Sequence, residues 1–155
     1  MKGLIQIKHT PKNVLISIVD MHEYDGENTK SELITVGTLH GCGDNYSLEY
    51  EEQDEALLGC VTTITVEDGK KIILTRTGQV NTEMIIEKDK RHNCHYDTPH
   101  GEFMMGVFAR YVNSDMACDG GELNFAYTID FNTGLASYNE LKVTVKEADK
   151  NVIPS

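Results

Sequence analysis

Between residues 13 and 147 the chain is a succession of about ten short runs of strand-forming residues, punctuated by glycine and acidic turns, with no room for a long helix. Period-two alternation with turn signals at short, regular spacing is the pattern of an all-β sandwich or barrel. Strands are expected over 13–23, 30–39, 45–52, 59–67, 70–76, 82–88, 92–98, 101–112, 122–131 and 135–146. The plainest hairpin turns at Asp68-Gly69, a pair suited to a turn whose two central positions need positive φ. Asn132-Thr133-Gly134 reads as another hairpin turn, 53–58 as a longer connection and 113–121 as a polar loop.

Short connections make sequential strands pair antiparallel in a meander. A flat sheet of that size would expose two edges and an apolar face, and closure removes both. The expected fold is all-β: one antiparallel, up-and-down closed barrel of about ten strands, wide enough to enclose a cavity. Residues 1–155 form a single domain in this reading, with 1–12 as an N-terminal extension and 147–155 as a frayed tail.

The charge count, 14 Lys and Arg against 25 Asp and Glu, gives a net charge of −11. Such a surface suits neither nucleic acid nor anionic membrane, since both need clustered cations to neutralise phosphate, and it favours solubility. The first residues lack the apolar core and cleavage site of a signal peptide, and no segment approaches a transmembrane span. A cytoplasmic location is expected by elimination. The spacing of Cys42, Cys60, Cys94 and Cys118 matches no zinc knuckle or Cys-x-x-Cys pair, so free thiols are expected, with Cys60 acting as a small hydrophobe.

Alternation also assigns faces. If Tyr46, Leu48 and Tyr50 point inward, so does Glu52. Ile72 and Leu74 bring Arg76 inward, and Thr62 lies beside Ile64. Glu52, Thr62 and Arg76 then form a polar cluster in an apolar tube, where two ions must pair or bind something. An inward arginine matches a ligand carboxylate bidentately; the other account is a partly solvated salt bridge at the barrel rim. Tyr50, Glu52, Thr62, Arg76, Met84 and Tyr96 would line a polar end, and Leu123, Phe125 and Tyr127 an apolar wall.

His92 and Cys94 share a strand face and, with His100 or Asp97 near the Pro99 turn, are the one weak metal-site candidate; no metal or other cofactor is expected. No nucleophile elbow supports catalysis by Cys94 with His92 or His95, and no catalytic residue is assigned. Met104 and Met105 point to opposite faces, the inner one an adaptable lining. The outer one, with Phe108, would give an apolar patch for a partner or homodimer.

The segments Leu48-Glu49-Tyr50-Glu51-Glu52, Gly59-Cys60-Val61-Thr62-Thr63-Ile64, Leu74-Thr75-Arg76-Thr77-Gly78 with Met84, and Tyr96-Asp97-Thr98-Pro99-His100-Gly101-Glu102-Phe103, in this order, resemble the YwiB-like bacterial domain-of-unknown-function family over about 13–147. The resemblance implies a calycin-type barrel, lipocalin-like or fatty-acid-binding-protein-like, and brings no ligand or catalytic residue. Because the chain has no Trp, the lipocalin Gly-x-Trp signature is missing and extracellular lipocalin function is not implied. The expected function is binding of a small amphipathic or acidic ligand inside the barrel. The other readings are a filled barrel working through its surface, and an enzyme using the same cavity.

Overall fold

Pairing of the first strand with the last closes the sheet. The computed structural model describes residues 11–131, 134 and 136–148. Its strands are β1 (Lys12–Tyr24), β2 (Glu27–Cys42), β3 (Asn45–Glu51), β4 (Val61–Glu67), β5 (Lys71–Thr77), β6 (Asn81–Glu87), β7 (Arg91–Thr98), β8 (Gly101–Ala117), β9 (Gly120–Asp130) and β10 (Ala136–Glu147). Each pairs antiparallel with its sequence neighbour, and β1 also pairs with β10, giving the expected up-and-down closed barrel of ten strands. Among the described residues no helix is long and apolar enough to cross a membrane.

The inward rows follow from the alternation. Val14, Ile16 and Ile18 of β1, Tyr46, Leu48 and Tyr50 of β3, Ile72 and Leu74 of β5, and Leu141, Val143 and Val145 of β10 are all buried. Each large aliphatic side chain removed from water this way contributes about 1.5–3 kcal/mol against the entropy of ordering the chain. At Asp68-Gly69 both φ angles are positive, +56° and +66°, and Lys70 N donates to Glu67 O at 3.0 Å. Pairing resumes at Lys71, one residue later than expected.

The sheet loosens at two seams. β2 pairs with β3 only from Thr38 to Cys42, and a Cβ on Gly37 would collide with the carbonyl oxygen of Glu49 just where the two strands part. Glycine at this position permits that close backbone approach. β6 pairs with β7 only from Asn81 to Glu83, after which Ile85 N donates to Cys94 Sγ at 3.4 Å.

Three expectations are corrected. The segment 113–121 is not a polar loop: β8 runs to Ala117 and β9 starts at Gly120. A bulge at Arg110 shifts the phase of β8, so that the inward row Met105, Val107, Ala109 continues as Val112, Ser114 and Met116. Read without that extra residue, the alternation dissolves into polar noise. Ser114 faces the interior, where its hydroxyl meets Tyr46 Oη at 2.7 Å.

Second, Cys42 and Cys118 are not free thiols but form a disulfide, while Cys60 and Cys94 are free and buried. The bond ties the β2–β3 turn to the β8–β9 turn across one end of the barrel, beside a hydrogen bond from Gly43 N to Met116 O. Third, the chain is still anchored at Glu147, whose N–H donates to Asp119 O; Ala148 N donates to Asn13 O. Of the expected extension over 1–12, Lys12 already belongs to β1, and residues 1–10 lie outside the described residues, as do Asn132 and Thr133 of the expected hairpin turn, Leu135 and the rest of the tail.

The disulfide closes a loop spanning a sequence separation of 76, which in the chain-entropy picture is worth about 4 kcal/mol. Alkylation of the denatured, unreduced protein is expected to modify Cys60 and Cys94 alone, and all four cysteines after reduction. Modification of all four without reductant would show that the bond does not form.

Candidate functional site

The barrel is packed at one end and hollow at the other. Around the disulfide-tied end the interior is filled by Ile16, Leu39, Leu48, Val66, Ile72, Phe125 and their neighbours, all fully or almost fully buried. Toward the opposite end the same inward rows turn polar and enclose a cavity of about 800 Å³. That is within the range, about 300–1,000 Å³, of small-molecule sites. Its floor is aliphatic: Ile18, Ile64, Leu74, Met84, Met105 and Leu141.

A polar belt lies above the floor, built by register. Tyr50 stands opposite Thr62, Thr62 opposite Arg76, Arg76 opposite Thr82, and Thr82 opposite Tyr96. On the far wall Tyr127 stands opposite Asn139, and Asn139 opposite His22. The single-turn 3-10 segment Glu55–Leu57, capped by Asp54 through a 2.9 Å bond from Ala56 N, hangs at the mouth; Gln53, Asp54 and Leu57 reach the cavity.

The ions of the belt are already paired. Thr62 Oγ1 donates to Glu52 Oε2 at 2.5 Å, and Arg76 reaches the same oxygen through Nη2 at 3.3 Å and Thr62 through Nε at 3.2 Å. Glu52 is 9% exposed and Arg76 22%, so the pair is largely withdrawn from water but open to the cavity. Beside it, burial first and the Glu52 charge second push the Tyr50 phenol far above its usual range. Burial does the same to Tyr127, reinforced by Asp20. Both phenols therefore stay protonated, the Tyr50 hydroxyl held beside Thr62 and Glu52.

Of the residues singled out in the sequence, Tyr50, Glu52, Arg76, Met84, Tyr96 and Tyr127 line the cavity. Thr62 stands behind Glu52 and Arg76. Leu123 and Phe125 are fully buried in the packed end and do not line the cavity. Cys94 is buried in the core, while His92 Nε2 lies 3.1 Å from Glu87 Oε1 and His100 is exposed. Among the described residues no three His, Cys, Asp or Glu side chains are grouped to hold a metal ion. Met105 lines the cavity, whereas Phe103 and Met104 are 47% and 48% exposed and Phe108 is half-buried.

Several polar contributors lie further along inward rows already visible in the sequence. Extending the inward row Val14, Ile16, Ile18 by two steps leads to Asp20 and His22; stepping back from Ile86 and Met84 leads to Thr82. Asn139 precedes Leu141 in the same way. His22 Nδ1 lies 2.7 Å from Asn139 Oδ1. Asp20 Oδ1 and Thr82 Oγ1, on opposite walls, are buried without a hydrogen-bond partner. Burial pushes the Asp20 carboxyl above its usual range, and His22 pulls it partly back.

Two outcomes follow. Arg76→Leu strands the Glu52 charge and is expected to lower the unfolding free energy by about 2 kcal/mol or more, whereas Glu52→Gln combined with Arg76→Leu recovers most of the loss. Urea titration of the wild type, each single variant and the double variant checks this; losses that simply add would show that the pair does not couple. For Asp20, a raised carboxyl pKa means that the folded state holds its proton more tightly than the unfolded chain. Its charged form therefore opposes folding above the folded pKa, and this penalty fades as pH falls through that pKa. Asp20→Asn is expected to raise Tm at neutral pH by a few degrees and by less in mild acid. A lower Tm at neutral pH would contradict the assignment.

Known proteins agree with this geometry at the level of fold. A crystal structure of the ywiB protein from Bacillus subtilis superposes with a TM-score of 0.81 over 92% of this chain and 96% of that one, at 18% sequence identity. No curated protein matches the chain. The model of the family described as a domain of unknown function, DUF1934, matches residues 16–143. The chain thus belongs to the DUF1934 family and carries its domain as a calycin-like closed antiparallel barrel.

Proposed function

We propose that this protein binds a small amphipathic molecule in the open half of its barrel. The observation that carries the proposal is a single cavity wall divided by height: aliphatic side chains below, a belt of phenols, hydroxyls and one ion pair above. Apolar surface supplies affinity and a few placed polar groups supply orientation, which is the usual division of labour in small-molecule sites. The sequence reading assigned Arg76 to a ligand carboxylate. With Glu52 already on that guanidinium, an acidic ligand would have to compete with a paired internal carboxylate, so amphipathic character is the better supported half of that reading.

The proposal keeps the cytoplasmic setting expected from the sequence. The cavity lies at the opposite end of the barrel from Cys42 and Cys118.

Native mass spectrometry of the purified protein, followed by denaturation and organic extraction, tests the reading. The expected result is a reproducible small molecule that is lost in Leu74→Trp, where the indole occupies the floor of the cavity. A bare mass in repeated preparations, together with no uptake of added amphiphiles, would favour a barrel that works through its outer surface.

A further inference from the structure

The cavity is lopsided in charge and rich in rings. Its wall carries the carboxylates of Asp20, Glu32, Glu52 and Asp54 against one arginine, Arg76, and one histidine, His22. Arg76 is committed to Glu52, which leaves Asp20 as the carboxylate deepest on the opposite wall with a buried oxygen that nothing satisfies. Five aromatic rings, Tyr24, Tyr50, Tyr96, Tyr127 and Phe131, surround the same space. Thr82, 7% exposed, faces it with a second unpartnered polar atom.

His22 offsets only part of the cost of burying the Asp20 carboxylate, and a cation or donor that reaches its buried oxygen would lower it further. Aromatic faces carry negative charge density and attract ammonium groups held over them, which is how quaternary and alkylated amines are recognised in aromatic cages. A net charge of −11 adds a field that draws cations toward the molecule and repels anions.

Resting on the binding reading above, we infer that the ligand is an amphipathic amine: its ammonium group pairs with Asp20 among the phenol rings, and its apolar part lies on the aliphatic floor. A hydroxyl or second donor on the ligand would satisfy Thr82 Oγ1 across the cavity. Asp20 is then a recognition group, while Arg76 and Glu52 hold each other and shape the wall. An ammonium ion placed against Asp20 also favours the charged form of the carboxyl, which burial disfavours.

The test compares three probes of one chain length, octylamine, octanol and octanoate, titrated into the intact protein at neutral pH by heteronuclear NMR. Octylamine is expected to bind at least about tenfold more tightly than octanoate, with octanol between them and shifts centred on β1, β9 and β10 around the cavity. In Asp20→Asn the preference for the amine over octanol is expected to disappear. The probe ranking needs no variant, so it stands even if Asp20→Asn fails to fold.

Octanoate binding as tightly as octylamine overturns the inference and leaves the binding reading intact. An amine preference that survives Asp20→Asn, or shifts confined to the outer acidic surface, overturns the assignment to Asp20. No binding by any of the three removes the binding reading itself, and this inference with it.

Discussion

Pairing of β1 with β10 is the contact on which the rest of the molecule depends. The two strands meet in register from Val14 opposite Glu147 to Tyr24 opposite Ser137, so the first strand of the meander is also hydrogen-bonded to the last. Without it the sheet would be an open ribbon with two long edges and an apolar face in water. With it, every strand contributes one row of side chains to a common interior, and the character of each row at a given height becomes a property of the whole tube.

The side chains carried at each height explain why one end is solid and the other hollow. At the tied end, large aliphatic and aromatic side chains such as Ile16, Leu48 and Phe125 meet across the axis, and the β2–β3 and β8–β9 turns are drawn over the opening by the disulfide and by Gly43. At the other end the inward positions are tyrosine, threonine and charged residues, whose polar atoms cannot be packed against one another without partners. Glu52, Thr62 and Arg76 solve that problem internally, each by a bond to another member. Asp20 and Thr82 do not: each keeps a buried oxygen without a hydrogen-bond partner.

Much of this was legible in the alternation. The inward placement of Glu52, Thr62 and Arg76 followed from Tyr50, Ile64 and Leu74 by counting in twos, because a strand leaves a side chain no other choice of face. The same count carried two steps further along β1 would have reached Asp20 and His22. The polar stretch after Val112 was misread because the bulge at Arg110 inserts a residue, and a period-two pattern cannot be followed through a change of phase. Phe125 was placed on the right face and at the wrong height: alternation gives orientation, but not how far along the axis a residue sits.

The sequence by itself determined the class of fold, the order of the strands and the face of most side chains, since these depend on neighbours two residues apart and on turns of a few residues. Only the tertiary structure decided which positions share a level in the tube. The separation of 76 between Cys42 and Cys118, the crossing from Asp20 on β1 to Thr82 on β6, and the division between packed and hollow ends all arise from closure. Closure sums the register of every strand pair around the ring, and no local pattern carries that sum.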